Sequence, residues 1–162
     1  MNTITISNDL LNRELKDTIL SYAGEYVEDY QIEFKEGNIY LDLYLQVKAL
    51  GPILAKYKLE VLDFNFNIYE HNLKLSYSES VKSTGNIAQN MMVKAMGLRP
   101  ETFLQTALEM INHPAINAKD KSCSLDLEQL INLPTNGLLS KLNIKYLDSR
   151  DNCLKLSFGI DI

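Results

Sequence analysis

The chain has 162 residues, of which 46% are apolar and 23% charged, and its formal net charge is −5 with an isoelectric point near 5.0. This composition predicts one folded domain over residues 1–162 and argues against disorder. The acidic balance argues against nucleic acid as a partner, because a phosphate-binding surface needs an excess of cationic residues.

The beginning of the chain and its cysteines bear on where the protein works. The first residues, MNTITISNDL, lack the basic start and the apolar run of a signal peptide. No stretch approaches the roughly 20 apolar residues that cross a bilayer, so no transmembrane segment is expected. Cys123 and Cys153 fit no metal or redox spacing and are expected to be reduced thiols. We expect a cytoplasmic protein, with peripheral attachment to a membrane left open.

A helix and then a run of strands are predicted in the first half. Residues 7–23 have the periodicity of an amphipathic helix that Ser7 can cap. In residues 30–77 the period is two, most clearly in IYLDLYLQV at residues 39–47, which predicts antiparallel strands. Past Val61 the apolar set moves by one residue, which predicts a β-bulge and a curved sheet.

The stretch VKALGPILAKYK, residues 47–58, predicts a tight turn between two strands. The turn is placed at residues 50–52, because Ile53 resumes the core-facing parity and Pro52 needs no ladder donor at a strand start. Two leucines near the turn are expected to be partly exposed between lysines. They form either a plain hairpin end or a tip that touches a membrane, since apolar residues ringed by lysines suit that interface. The candidate tip residues are Lys48, Leu50, Leu54 and Lys56.

The second half is predicted to contain two helices, a strand with a short helix, and a hairpin. Residues 85–112 return to the helical period, with Gly97 and Pro100 separating the two helices. CSLDLEQLINLP, residues 123–134, predicts the strand and short helix, and residues 142–160 predict a hairpin around DSRDN. The predicted fold class is α+β: a long curved antiparallel β-meander wrapped against amphipathic helices, with a C-terminal hairpin.

No residue pattern commits the chain to a chemistry. It has no glycine-rich nucleotide loop, and His71 and His113 are isolated from other metal ligands. Both cysteines fall in predicted strands, where a buried thiol is inert. The acidic residues between positions 25 and 36 lack the spacing of a calcium loop and are expected to form a solvated face. We therefore predict no catalytic residue, no metal, no cofactor and no enzymatic activity.

Three segments of the chain carry a resemblance to a known family: ISNDLLNREL at residues 6–15, CSLDLEQLI at 123–131, and LNIKYLDSRDNCLKLSF at 142–158. They resemble the opening helix signature and the closing strand and hairpin of the bacterial branch of the tubular lipid-binding (TULIP) superfamily. The resemblance implies a sheet wrapped on a long helix, with an apolar groove that holds lipid tails or other hydrophobic ligands. Members are often secreted, lipid-anchored or membrane-tethered, and this chain shows no such signal.

The leading hypothesis is non-enzymatic binding of a hydrophobic, lipid-like ligand or of a membrane surface, in an apolar groove between sheet and helices. The methionines predicted there are either an adaptable lining or plain core. The candidate lining residues are Leu43, Leu45, Phe64, Phe66, Met91, Met92 and Met96. The alternative is a protein–protein interaction or assembly subunit, which meets a partner or a second copy of itself through the exposed sheet face at Tyr40, Tyr44 and Leu54.

Overall fold

The structure is a computed structural model that describes residues 2–134 and 136–161, and in these residues nine antiparallel strands form one sheet with four α-helices. The strands are β1 (Asn2–Ser7), β2 (Val27–Lys35), β3 (Asn38–Val47), β4 (Gly51–Phe66), β5 (His71–Ser83), β6 (Ile116–Lys119), β7 (Ser122–Asp126), β8 (Leu142–Arg150) and β9 (Cys153–Ile160). The helices are α1 (Lys16–Ala23), α2 (Ile87–Met96), α3 (Phe103–Ile111) and α4 (Leu127–Ile131), with a π-helical turn at Leu10–Glu14 and a 3-10 turn at Leu139–Lys141. The predicted α+β class, with its meander and C-terminal hairpin, is confirmed.

The long strand β4 is the place where the sheet forks. The strand order is β1-β9-β8-β4-β5-β7-β6, and β2 and β3 lie outside that path. β5 pairs with β4 along nearly its whole length. The other side of β4 is shared, because β3 occupies it as far as Leu59 and β8 joins it only at Phe66, opposite Ile144. A gap between β4 and β8 therefore opens over the residues between these two partners.

The predicted β-bulge lies in β4 at Leu62. The pairing with β5 slips by one position there, and Leu62 is the extra residue. Phe64 consequently returns to the face of Val61, which is why the apolar alternation in the sequence moves by one position. A second bulge, at Leu147 in β8, was not predicted, because that strand was expected to end near this point.

The predicted helix over residues 7–23 is interrupted. Residues up to Ser7 belong to β1, and the chain then passes through the π-helical turn into α1. Ser7 does cap this segment, since its Oγ accepts a hydrogen bond from the Leu10 amide at 3.1 Å. The interruption falls at Leu15, and before it the side chains of Asn8 and Asn12 bond to the backbone of β2.

Two predicted turns are placed differently in the structure. The β3–β4 turn comprises residues 48–50, and β4 begins at Gly51. The turn expected at DSRDN is shorter, because β8 continues through Arg150 and only Asp151 and Asn152 turn, with φ of 51° and 61°. Asp and Asn tolerate this left-handed conformation better than most residues.

Helices cover only part of the apolar face of the sheet. The two core clusters comprise Ala55, Tyr57, Tyr77, Ala118 and Cys123, and Leu50, Ile53, Val93 and Phe103. The chain exposes 10433 Å², whereas a compact monomer of 18.5 kDa exposes about 8,200 Å². The fold thus leaves more surface accessible than a closed globule of its size. Within the residues described, no helix combines the length and the hydropathy needed to cross a membrane.

Candidate functional site

The predicted groove residues of the sheet lie in two separate places. Leu43 and Leu45 are half-buried on β3 and pack against the core clusters. Phe64 and Phe66 lie toward the opposite end of β4, where they line the cleft between β4 and β8. The structure therefore does not gather these four side chains around one groove.

The three predicted lining methionines of α2 do not share one surface either. Met96 packs on the cluster that contains buried Val93, whereas Met91 and Met92 are 66% and 46% exposed. Apolar residues occur on both faces of α2, so the helical period alone does not identify the inward face. The buried position of Val93 identifies it in the structure.

Leu50, predicted to be a partly exposed tip residue, is buried, and this expectation was wrong. Ala49 has a φ of 74°, and the turn directs Leu50 beneath the helices. There its side chain is 7% exposed and packs with Val93 and Phe103. Removing an apolar side chain of this size from water is favourable by roughly 1.5–3 kcal/mol, which explains why the chain turns it inward.

The other predicted tip residues remain near the surface. Lys48 is exposed at the turn, and Leu54 is half-buried. Lys56 is exposed but its Nζ lies 3.4 Å from Asp42 Oδ2 on the neighbouring strand β3. At the hairpin tip, therefore, Lys48 and Lys56 are exposed, whereas Leu50 is buried.

The sheet face proposed for a protein partner is only moderately accessible. Tyr44 is 42% exposed, whereas Tyr40 and Leu54 are half-buried. Lys58 Nζ lies 6.0 Å from the centre of the Tyr40 ring and covers part of it. Of the three candidate contact residues, Tyr44 thus has the most exposed side chain.

The outer face of α2 and the turn after it expose apolar residues, of which Met91 was predicted to line the groove. Ile87, Met91 and Leu98 are 81%, 66% and 89% exposed, and Ala95 is exposed between the last two. Ile87, Met91 and Ala95 are four residues apart and share the face opposite Val93, and Leu98 lies in the turn just beyond Gly97. We call Ile87, Met91, Ala95 and Leu98 the α2 stripe.

Acidic residues are missing from the two segments that meet beside this stripe. Residues 43–59 and 80–100 contain six of the 16 lysines and arginines and none of the 21 acidic residues. A chain of net charge −5 therefore has one cationic end. The exposed cations at this end are Lys48, Lys82, Lys94 and Arg99. We call residues 48–50 and 82–99 together the basic end.

The hairpin turn and α2 are fixed to each other at the basic end. The Thr84 amide donates to the Pro52 carbonyl at 3.0 Å. Gln89 of α2 covers Gly51 so closely that an added Cβ would lie 2.5 Å from Gln89 Nε2, and Gly51 also has a φ of 71°. Asn86 and Gln89 form a capping box that begins α2. These contacts hold the start of α2 against the hairpin turn.

Titratable side chains beneath α3 are hydrogen-bonded or kept protonated. Glu79 accepts hydrogen bonds from the Phe103 and Leu104 amides, which places its charge at the start of α3. Burial, with the charge of Glu79, raises the pKa of the Tyr57 hydroxyl, and burial raises the pKa of the Cys123 thiol. Both groups are thus kept protonated. Among the described residues, no three His, Cys, Asp or Glu side chains are grouped as metal ligands.

Comparisons with models of protein families, with curated protein sequences and with solved structures gave no match to this chain. The functional argument therefore depends on the chain's own surface. Simple charge counting along the sequence would have found the basic end, because both acid-free segments are visible in it. The outward direction of the α2 stripe required the structure.

Proposed function

We propose that the protein binds anionic membrane surfaces reversibly through its basic end and carries out no reaction there. The single observation that carries this proposal is the α2 stripe, a set of exposed apolar side chains within a segment, residues 80–100, that contains no acidic residue. A helix of this kind lies in the plane of a membrane interface, with its apolar side chains among the acyl chains and its cations near the headgroups.

The apolar contribution comes from three large side chains. Ile87, Met91 and Leu98 stand largely in water, and burying a side chain of this size is favourable by roughly 1.5–3 kcal/mol. Ile87 and Met91 share one helix face, and Leu98 lies in the turn that follows α2. A single short helix with this area supports attachment that is reversible.

The electrostatic contribution selects the kind of membrane. Lys48, Lys82, Lys94 and Arg99 are exposed at the basic end, and each cation near an anionic leaflet contributes about 1 kcal/mol. The acidic remainder of the chain is repelled by the same leaflet, so the protein is oriented with the basic end toward the lipid. We therefore expect little binding to vesicles of neutral lipid.

A surface contact is better supported than an enclosed lipid groove. The seven predicted lining residues are dispersed, and the two most exposed of them, Met91 and Met92, lie on α2 at the basic end. A groove between sheet and helices needs these side chains to converge on one ligand. Their exposure instead favours contact with an extended apolar phase.

Vesicle sedimentation tests the proposal. The protein is expected to co-sediment with vesicles of phosphatidylcholine mixed with phosphatidylserine, and binding should weaken as salt is raised, because screening shortens the range of the attraction. Met91→Glu and Lys94→Glu should each lower the bound fraction several-fold. The matched controls are Ile131→Glu, which changes an apolar residue 55% exposed on α4, and Lys155→Glu on β9, and both should bind as wild type.

Two outcomes contradict the proposal. Equal binding to pure phosphatidylcholine would remove the role of the cations. Equal loss of binding in Met91→Glu and Ile131→Glu would remove the role of the α2 stripe. Light scattering of the lipid-free protein tests the alternative, an assembly subunit: a monomer argues against it, and a defined oligomer that Tyr44→Ala disrupts supports it.

A further inference from the structure

A second open site lies where the sheet forks. The cleft between β4 and β8 has a volume of about 740 Å³ and extends on both sides of the Phe66–Ile144 strand pair. Residues 61–69 form one wall, and residues 143–146 with Asp161 form the other. Counted from Gly51, the cleft begins about 33 Å along β4, at roughly 3.3 Å per residue, so it is separate from the basic end.

Each wall of the cleft presents a hydrogen-bonded Asn–Asp pair. On β4, Asn65 Nδ2 donates to Asp63 Oδ2 at 2.9 Å. On the β8 side, Asn143 Nδ2 donates to both carboxylate oxygens of Asp161, at 3.2 and 3.3 Å. These bonds hold the side chains in place, and a carboxylate with about four lone-pair sites keeps acceptor capacity beyond them. The two walls thus carry prepositioned acceptors for hydroxyl or amine donors.

Aromatic side chains lie at the rim and on the walls of the same cleft. Tyr69 is 86% exposed, in a turn that is held by Asn67 Oδ1, which accepts from the Tyr69 and Glu70 amides at 2.8 and 3.1 Å. On the opposite wall the Tyr146 hydroxyl is hydrogen-bonded to Ser149 Oγ at 2.9 Å. The Tyr69 ring is therefore an open flat surface on an ordered turn.

Several kinds of ligand fit this arrangement poorly. A lipid tail would leave the two Asn–Asp pairs in contact with hydrocarbon, which is unfavourable for carboxylates. An extended peptide strand would meet the Phe66–Ile144 strand pair and the bulges at Leu62 and Leu147, and such bulges disrupt the ladder that strand addition needs. No three acidic, His or Cys side chains are grouped for a metal in the part of the chain described.

A sugar ring matches both sets of groups. Its hydroxyls are donors for the carboxylates and amide oxygens, and its C–H face packs on an aromatic ring. We propose that the cleft between β4 and β8 binds a saccharide, with Asp63, Asn65, Asn143 and Asp161 accepting from the hydroxyls and Tyr69 stacking on the ring. An open cleft of this kind binds weakly, and we expect millimolar dissociation constants.

Titration of the full chain followed by amide NMR tests this proposal. The probes are the trisaccharides maltotriose, cellotriose and chitotriose, with glycerol as a polyol that has hydroxyls and no ring. At least one trisaccharide should shift resonances of residues 61–69 and 143–146 and leave residues 86–98 unchanged. Tyr69→Ala should weaken that binding about tenfold, because it removes the stacking surface. Tyr22→Ala is the matched control, since Tyr22 is 82% exposed on α1, and it should bind as wild type.

Three results would overturn the assignment. The first is that none of the three trisaccharides shifts the cleft resonances. The second is that glycerol produces the same shifts at the same concentration. The third is equal affinity in wild type, Tyr69→Ala and the isosteric Asp161→Asn variant, which retains the shape of the cleft and removes one charge. The NMR readout is local to the cleft, so a negative result there leaves the membrane proposal unaffected. Failure of the membrane proposal likewise leaves the saccharide proposal unaffected.

Discussion

Lys16 connects α1 to β2 through two contacts of one ammonium group. Its Nζ lies 2.7 Å from Asp29 Oδ1 and 5.2 Å from the centre of the Tyr30 ring. The hydrogen bond from Lys16 lowers the pKa of Asp29, against the opposing effect of partial desolvation. Tyr30 is buried beneath the ammonium and donates its hydroxyl proton to the Leu11 carbonyl. The half-buried ammonium of Lys16 thus pairs with Asp29 and lies over the buried ring of Tyr30.

Lys16→Met removes the ammonium and keeps most of the aliphatic stem. The pKa of Asp29 should rise, because the contact that lowers it most is lost, and carboxyl NMR titration measures this rise. Because the folded-state pKa of Asp29 is depressed, the stabilisation is present above its unfolded pKa and is lost as pH falls through the folded one. The difference in unfolding free energy between wild type and variant should therefore be less than about 1 kcal/mol at neutral pH and vanish in acid.

An unchanged pKa of Asp29 in Lys16→Met would contradict this account. The sequence analysis predicted an amphipathic helix over residues 7–23, which includes Lys16, and a solvated face for the acidic residues around Asp29. The sequence could not show that Lys16 and Asp29 are paired, because their proximity depends on how the helix crosses the strand. The same limit applies to the Asn–Asp pairs of the cleft, whose members are close only through the fork of the sheet.

At the scale of elements, the segment before α1 protects an edge of the sheet. The outer edge of β2 is met by Asn12, whose side chain accepts from the Ile32 amide at 2.8 Å and donates to the Ile32 carbonyl at 2.7 Å. Asn8 accepts from the Phe34 amide at 3.0 Å, and the Asn152 amide donates to the Phe34 carbonyl at 2.9 Å. These groups replace a neighbouring strand and block further pairing at this edge.

Asn12→Ala should destabilise the protein by roughly 1–3 kcal/mol, because it leaves a backbone donor and acceptor of β2 without their partner. Urea unfolding measures this loss, and the Ile32 amide should exchange with solvent faster in the variant. Asn2→Ala, at an exposed asparagine of β1, is the matched control and should stay within about 0.5 kcal/mol of wild type. Equal stability of the Asn12 and Asn2 variants would show that the hydrogen bonds from Asn12 do not stabilise the edge of β2.

The strands were more predictable than the helices for a physical reason. A strand with one buried face has a strict period of two, so β3 and the bulge after Val61 are visible in the sequence. Residues 7–23 have the helical period, yet the structure divides them among the end of β1, a π-helical turn and α1, and two asparagines of the segment bond to β2. α2 has apolar residues on both faces, and its inward face depends on the partner it packs against.

At the scale of the whole molecule, charge and apolar surface are distributed unequally. The basic end joins the α2 stripe to four exposed cations, and the rest of the chain carries 10 cationic and 21 acidic residues outside the two acid-free segments. The accessible surface of 10433 Å² exceeds that of a compact monomer by about a quarter, which is expected if part of the molecule works in contact with another phase or partner. The sequence analysis predicted exposed apolar residues between lysines at the hairpin tip. In the structure, the exposed apolar residues lie at α2 instead.

Hydrogen exchange of the full chain, with and without vesicles of phosphatidylcholine and phosphatidylserine, tests membrane binding through the basic end most directly. The account predicts slower exchange on binding in residues 86–98 and at the turn of residues 48–50, with residues 60–70 unchanged. Protection confined to residues 60–70, or vesicle-bound protein whose exchange in α2 is the same as in solution, would contradict it.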